Sequence, residues 1–349
     1  MVQIAVKTGG QCSARIQVER KAFSMQIAFF STKPYDRIWF EPMAADYGFG
    51  LRFIELPFNR DTMFLAKGYD AVCIFVNDHV DRQMIGWLSE NGVRGLLLRS
   101  AGFNHVDVRA AKGRIAVLRV PSYSPEAVAE YAMAMLLTVN RYTHKAYGRT
   151  REFNMSINGL MGTDLYHKVA GVVGTGKIGQ AMIRIFQGFG MQVLAFDPYP
   201  NEGQGVRYVS REELFARADF ISLHCPLTPQ TRYLINRKTI REMKDGVYLV
   251  NTSRGALIDT QALIEALAAK KFGGVGLDVY EEEEGLFYED CSSRIIQDEN
   301  LARLVTFPNV LVTSHMGFFT VEAMQAIAHE TLENAYALEH GLPLKNLVE

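Results

Sequence analysis

Gly171-Val-Val-Gly-Thr-Gly-Lys-Ile-Gly179 is the stretch from which the fold of this chain can be read. Val169–Val173 is short and apolar, as a buried strand is, and Gly174, Gly176 and Gly179 fall at G-x-G-x-x-G spacing. Ala181, Ile185 and Phe186 then recur at helical intervals, and Gln192-Val-Leu-Ala-Phe-Asp197 reads as a second strand. The unit is therefore strand–turn–helix–strand. Its first glycine permits the tight turn, the second lets backbone approach a pyrophosphate, and the third allows close helix–strand packing. The helix start offers unpaired N–H groups and the positive end of the helix dipole to the phosphates. Glycine turns also arise for purely local reasons, so the context has to decide. Here a strand precedes, a helix follows, and an acid, Asp197, ends the second strand eighteen residues beyond Gly179. A carboxylate there accepts hydrogen bonds from ribose hydroxyls and repels a phosphate, and Pro198 and Tyr199 bring no arginine to hold one. The expected cofactor is NAD.

The 349 residues exceed what one hydrophobic core usually organises, so two domains are expected. Apolar residues make up 48% and charged residues 21%, an ordinary globular composition. The net charge of −1 supplies no basic field for nucleic acid or an anionic membrane, and no apolar run reaches spanning length. Cys12, Cys73, Cys225 and Cys291 form no C-x-x-C pair and read as reduced thiols of a cytoplasmic protein. With no H-x-x-x-H, H-E-x-x-H or clustered His/Cys pattern, no metal site is expected. Met1–Ser24 lacks the apolar core of a secretory signal and reads as a dispensable extension, a transit peptide being the other reading.

From Met25 the chain offers five strand candidates: Met25–Ser31, Leu51–Leu56, Ala71–Val76, Gly95–Arg99 and Ala116–Val120. Spacings of this kind suggest βαβ units in a parallel, flavodoxin-like sheet. That layer has no phosphate loop, which leaves it the task of holding substrate. After its fourth strand, Ser100, Ala101 and Gly102 make a small-residue turn that exposes backbone N–H groups. The turn suits a carboxylate, and equally a plain strand terminus. Pro121-Ser-Tyr-Ser-Pro125 links to a helix whose N-cap is Ser124 and whose apolar stripe runs from Val128 to Val139.

Beyond Asp197 come Phe220–Cys225, Val247–Ser253, Gly274–Tyr280 and Val310–His315, making six strands of a doubly wound sheet. The fold class is thus α/β: a flavodoxin-like substrate domain over 25–123 and 320–349, and an NAD-binding Rossmann domain over 124–319. Arg254, Glu283 and His315 sit at or past the carboxyl ends of three successive strands, where open α/β sheets bind ligands. Each has a plainer reading, as a surface charge, one member of the acidic run Glu281–Glu284, or a structural histidine. Their shared address makes a site.

These motifs in combination resemble the D-isomer-specific 2-hydroxyacid dehydrogenases, and most of all their fermentative D-lactate dehydrogenase subgroup. The matching stretches are Ile74–Asp78, Leu98–Asn104, Val120–Pro125, Gly171–Gly179, Ser222–Thr228, Val250–Ala256, Gly276–Glu281 and Leu286–Asp290. The resemblance implies reduction of pyruvate to D-lactate by NADH in a homodimer or homotetramer. It selects Glu283 from the acidic run, five residues after Asp278, and implies catalytic roles for Arg254, Glu283 and His315. Arg254 would hold the carboxylate and polarise the ketone, His315 would donate the proton, and Glu283 would orient the imidazole. It further implies that Lys177, Ile178, Asp197, Cys225, Pro226, Thr231, Thr252, Ser253 and Asp278 line NAD beside Gly174, Gly176 and Gly179. Tyr123 and Phe318 would border the substrate, with Ser100, Ala101 and Gly102 on its carboxylate. Where close relatives read His-Gln-Ala-Phe, this chain has His315-Met-Gly-Phe318. Two alternatives stay open: a reductase of a larger 2-oxo acid such as phenylpyruvate or hydroxypyruvate, and an NAD-sensing protein like the C-terminal-binding corepressors.

Overall fold

A computed structural model describes residues 23–201, 205–283 and 285–348. The extension Met1–Ser24 and Cys12 therefore lie almost wholly outside the described residues. The chain divides into two compact units. One comprises the residues up to Leu98, Val106–Leu118 and those from Leu332 onward; the other comprises Arg99–His105 and Arg119–Thr331.

The first unit carries β1 (Met25–Phe29), β2 (Phe49–Phe53), β3 (Ala71–Ile74), β4 (Gly95–Leu98) and β5 (Ala116–Arg119). Their order is β2-β1-β3-β4-β5 and the sheet is wholly parallel, the flavodoxin-like arrangement. All five expected strands are present, although β2 starts two residues early and stops at Phe53. β3 and β4 are buried along their whole length, which is why they read as unbroken apolar runs.

Asp78 is the one carboxylate of the Ile74–Asp78 motif, and it is only 1% exposed. It accepts from Ser31 Oγ at 2.6 Å and from the N–H groups of Phe58 and Phe75 at 2.8 and 2.7 Å. Three segments are thereby tied to one acid beyond the ends of β1 and β3. Asp78→Ala should strand these donors at about 1–3 kcal/mol each where water cannot reach them. A lowered midpoint of chemical unfolding is expected, and an unchanged midpoint would show that the loop repacks around the loss.

The second unit carries β6 (Val169–Val173), β7 (Gln192–Phe196), β8 (Arg207–Tyr208), β9 (Phe220–Leu223), β10 (Val247–Asn251), β11 (Phe272–Leu277) and β12 (Val310–Val312). The order β12-β11-β10-β9-β6-β7-β8 is that of the doubly wound dinucleotide fold. Seven strands replace the six expected. β8 has two residues and no apolar alternation, so its sequence carries no strand signal. Successive strand residues face opposite sides, and two cores result. Leu249 joins Ile221, Leu223 and Val275 on one face, whereas Val250 joins Ala170, Val172 and Phe220 on the other. The second core is closed by the helices Pro125–Arg141 and Lys177–Gly188. The first of these is capped as its sequence indicates, Ser124 Oγ accepting from Ala127 N at 3.2 Å. Cys73, Cys225 and Cys291 are free thiols. Among the described residues no helix is long and apolar enough to cross a membrane.

Candidate active site

The glycine turn lies between β6 and the helix Lys177–Gly188. Gly174 has φ +91°, and a Cβ on it would stand 2.6 Å from Cys225 N, so only glycine lets the ends of β6 and β9 meet. Space beside Gly176 is open, while a Cβ on Gly179 would fall 2.0 Å from Gly174 O. The loop is thus closed toward the sheet and open outward, at the helix N-terminus that begins with Lys177 and Ile178.

Asp197 follows β7. Its Oδ2 accepts from Thr175 N and Thr175 Oγ1 at 2.7 and 3.1 Å, and its Oδ1 from Tyr199 N at 2.9 Å. Tyr208 on β8 completes the brace by donating to Thr175 Oγ1 at 3.1 Å. The acid therefore fixes the glycine loop, and a carboxylate with about four lone-pair sites still has capacity for ribose hydroxyls. Asp197→Ala should weaken NADH binding about 10- to 100-fold, one to two steps of about 1.4 kcal/mol, and narrow the preference over NADPH. Fluorescence titration with both cofactors checks this; an unaltered preference would assign the discrimination elsewhere.

Beyond β9 and β10 the chain closes into paired turns. Thr231 Oγ1 donates to Pro226 O at 2.7 Å, and Ser253 Oγ donates to Cys225 O at 2.7 Å. Burial pushes the Cys225 thiol up to about 11, so it stays protonated and is no nucleophile at neutral pH. Thr252 Oγ1 is buried with no partner among the described residues. An orphaned hydroxyl at the carboxyl end of β10, in the same sheet as the glycine loop, fits a ligand that brings its own polar groups, as a dinucleotide does.

Arg254 follows β10, its Nη1 donating to Ser253 O at 2.6 Å. Its guanidinium lies against the Ser100–Gly102 turn, since a Cβ on Gly102 would sit 2.5 Å from Nη2. Within that turn the carbonyls are occupied: Ser100 O by Val120 N at 3.1 Å, Ala101 O by Arg119 Nη1 at 2.9 Å, and Gly102 O by Ser100 Oγ at 2.8 Å. The Ala101 and Gly102 N–H groups have no partner among the described residues. Free amides beside a planar cationic fork can receive a carboxylate.

His315 does not end a strand. β12 stops at Val312 and the histidine sits in the following turn with φ +53°. Asp278, at the end of β11, is the reason. Its Oδ1 accepts from Thr313 Oγ1 at 2.6 Å and Met316 N at 3.0 Å, its Oδ2 from Gly317 N at 2.7 Å, and its carbonyl from His315 N at 2.7 Å. Its carboxyl is pushed up by burial, against which those hydrogen bonds act.

Glu283 Oε1 lies 2.8 Å from His315 Nδ1, and Oε2 accepts from Tyr280 N at 3.1 Å. Nδ1 thus faces an acceptor, which leaves Nε2 as the nitrogen free to give a proton. The neighbouring Glu281 points elsewhere, bonding Tyr233 and, at 3.0 Å, Thr260 Oγ1. Glu282 is exposed, and Glu284 lies outside the described residues. Phe318 meets Tyr123 edge-on, ring centroids 6.3 Å apart. No hydrogen bond or ion pair joins Arg254 to Glu283 or His315 among the described residues. His224 is a different case: burial pushes its imidazole down to about 4, and its Nε2 is 2.8 Å from Ser222 Oγ. Near pH 7 it is therefore the neutral imidazole, which is no general acid.

Sequence reading missed three contributors. Thr175 occupies an unspecified position of the glycine motif, Tyr208 lies on a strand too short to read, and Arg119 acts on a turn far from it in sequence. Only Thr175 carried a signal, being the residue between two motif glycines.

Comparison with known proteins gives consistent results. Residues 133–317 match the model of the D-isomer specific 2-hydroxyacid dehydrogenase, NAD binding domain. The D-lactate dehydrogenase of Escherichia coli K12 is 50% identical over 321 residues, 91% of this chain and 98% of that protein. The solved structure of the pyruvate reductase of Chlamydomonas reinhardtii superposes with a TM-score of 0.88 at 43% identity, covering 93% of this chain and 99% of the other. That of D-lactate dehydrogenase with NAD+ from Lactobacillus jensenii gives 0.79 at 29% identity, over 93% and 100%.

Proposed function

The chain belongs to the D-isomer-specific 2-hydroxyacid dehydrogenase family, and from that premise we propose that it reduces pyruvate to D-lactate, with His315 as the proton donor. It is an oxidoreductase with an NAD-binding domain, and NADH, when bound, supplies the hydride. The Ser100–Gly102 amides and the Arg254 fork receive the carboxylate, and Arg254 polarises the ketone oxygen. His315 gives the Nε2 proton to the alkoxide that develops, while Glu283 holds Nδ1 and keeps the ring aimed. Tyr123 and Phe318 bound the remaining direction, which leaves room for a methyl group.

The observation that carries the reading is the pairing of His315 Nδ1 with Glu283 Oε1 at 2.8 Å. The choice of pyruvate draws support from the pyruvate reductase and the D-lactate dehydrogenases among the relatives. In the same proposal, residues 25–123 and 320–349 form the substrate domain and 124–319 the cofactor domain, in a cytoplasmic homodimer or homotetramer. Support for self-association comes from Phe153, Met155, Ile157 and Met161, apolar side chains left exposed next to the helix Thr143–Arg151.

NADH oxidation by a panel of 2-oxo acids, with chiral analysis of the product, tests the reading. Pyruvate should give the highest kcat/KM and D-lactate the product. Slow turnover of 2-oxobutyrate is expected, since one methylene is worth only about 1–3 kcal/mol. A higher kcat/KM for phenylpyruvate would overturn the substrate, and L-lactate would overturn the handedness.

A further inference from the structure

We propose that Tyr288 is a positioning residue for His315, its hydroxyl locking the peptide that follows the histidine and so fixing the direction of the imidazole. The inference rests on the reading of His315 as proton donor and goes beyond it. Tyr288 lies in Leu286-Phe-Tyr-Glu-Asp290, one of the stretches that carry the family resemblance.

The left-handed backbone of His315, φ +53°, is uncommon for a residue with a side chain and persists only where neighbours impose it. The peptide unit before the histidine is held by His315 N on Asp278 O at 2.7 Å, so the direction of the ring depends further on the peptide unit between His315 and Met316. That unit is held at both ends. Its N–H, on Met316, donates to Asp278 Oδ1 at 3.0 Å. Its carbonyl, on His315, accepts from the Tyr288 hydroxyl at 2.8 Å. The Tyr288 ring lies beside the imidazole, centroids 6.1 Å apart and planes 30° from parallel.

Tyr288 is itself firmly placed. The N–H groups of Leu286 and Phe287 both donate to Glu283 O, at 3.2 and 3.0 Å, and Phe287 is buried in the sheet core. The residue that grips the His315 ring and the residue that grips its backbone therefore belong to one turn. The Leu286 and Phe287 bonds to Glu283 O link the two grips directly. Freed at its carbonyl, the peptide can swing, and an imidazole displaced by about 1 Å can lose up to 10² in rate.

Tyr288→Phe removes one oxygen and keeps the ring. In single-turnover NADH oxidation with saturating pyruvate the variant should be about tenfold slower, with its NADH Kd within about twofold of the parent. A purely structural defect would weaken both together. In the His315→Gln background the same change should cost nothing further, because there is no proton donor left to aim. Three results would overturn the proposal: an unchanged rate in Tyr288→Phe, loss of NADH affinity in step with rate, or additive losses in the double variant. His315→Gln alone separates the two readings. If it keeps full activity, the proton-donor assignment fails and this proposal with it; if it is inactive while Tyr288→Phe is unchanged, only the positioning role fails.

Discussion

His315→Gln is expected to lower kcat for pyruvate reduction by about 10²–10⁴, the range that a positioned general acid contributes. The glutamine amide is of similar length but cannot release a proton to a developing alkoxide. Binding of NADH should stay within about twofold, because the phosphate cradle at Gly174–Gly179 and the brace Asp197–Thr175–Tyr208 are separate from the histidine. Glu283→Gln makes a graded companion. Its amide still fills the space between Tyr280 N and the His315 ring, but the charge that the imidazolium faces is gone. A loss smaller than that of His315→Gln is expected, since the donor itself survives. Stopped-flow measurement of NADH oxidation reads both variants. Turnover in His315→Gln within tenfold of the parent would remove the histidine from its role and pass the proton to solvent or to another group.

Arg254→Gln is expected to be as severe, through a different quantity. The guanidinium is charged at any accessible pH and offers paired donors to a carboxylate, and it lies against free amides of the Ser100–Gly102 turn. Losing one partner of a desolvated ion pair costs about 2–5 kcal/mol, so kcat/KM for pyruvate should fall by about 30- to 4,000-fold. KM and kcat should both suffer if, as proposed, the same fork binds the carboxylate and polarises the ketone. Arg254→Lys keeps the charge and loses the fork, and it should recover only part of the loss. Steady-state kinetics over a wide pyruvate range decide the matter. A rise in KM alone would confine Arg254 to binding; no change in either constant would place the carboxylate elsewhere. Gly102→Ala probes the same contact from the opposite side, since its methyl would enter the space of Nη2.

Much of this molecule is written locally. The parallel sheets are legible because strands such as Val169–Val173 and Ala71–Ile74 are apolar throughout, and the glycine spacing marks the turn that follows the first of these. Asp197 is legible because it stands at a fixed distance from that turn. The short β8 is not, since two residues leave no period to detect. Nor is the end of β12, because Thr313 and Ser314 bring no glycine or proline to mark a stop, while Asp278 recruits the N–H groups of Met316 and Gly317.

The sequence by itself determined the class of fold, the cofactor loop and a short roster of candidate acids, bases and cations. These depend on periodicity and spacing, which neighbouring residues carry. What only the tertiary structure decided is which of those side chains meet. Glu281 and Glu283 are alike in sequence, two positions apart in an acidic run. One turns to Tyr233 and Thr260 and the other to His315, 32 residues away. The left-handed turn at His315, the Tyr288 hydroxyl on its carbonyl and the Gly102 approach to Arg254 are likewise contacts between distant segments. Such contacts exist only after the strands have paired. Their selection follows from the directions in which loops leave the sheet, and no window of sequence contains those directions.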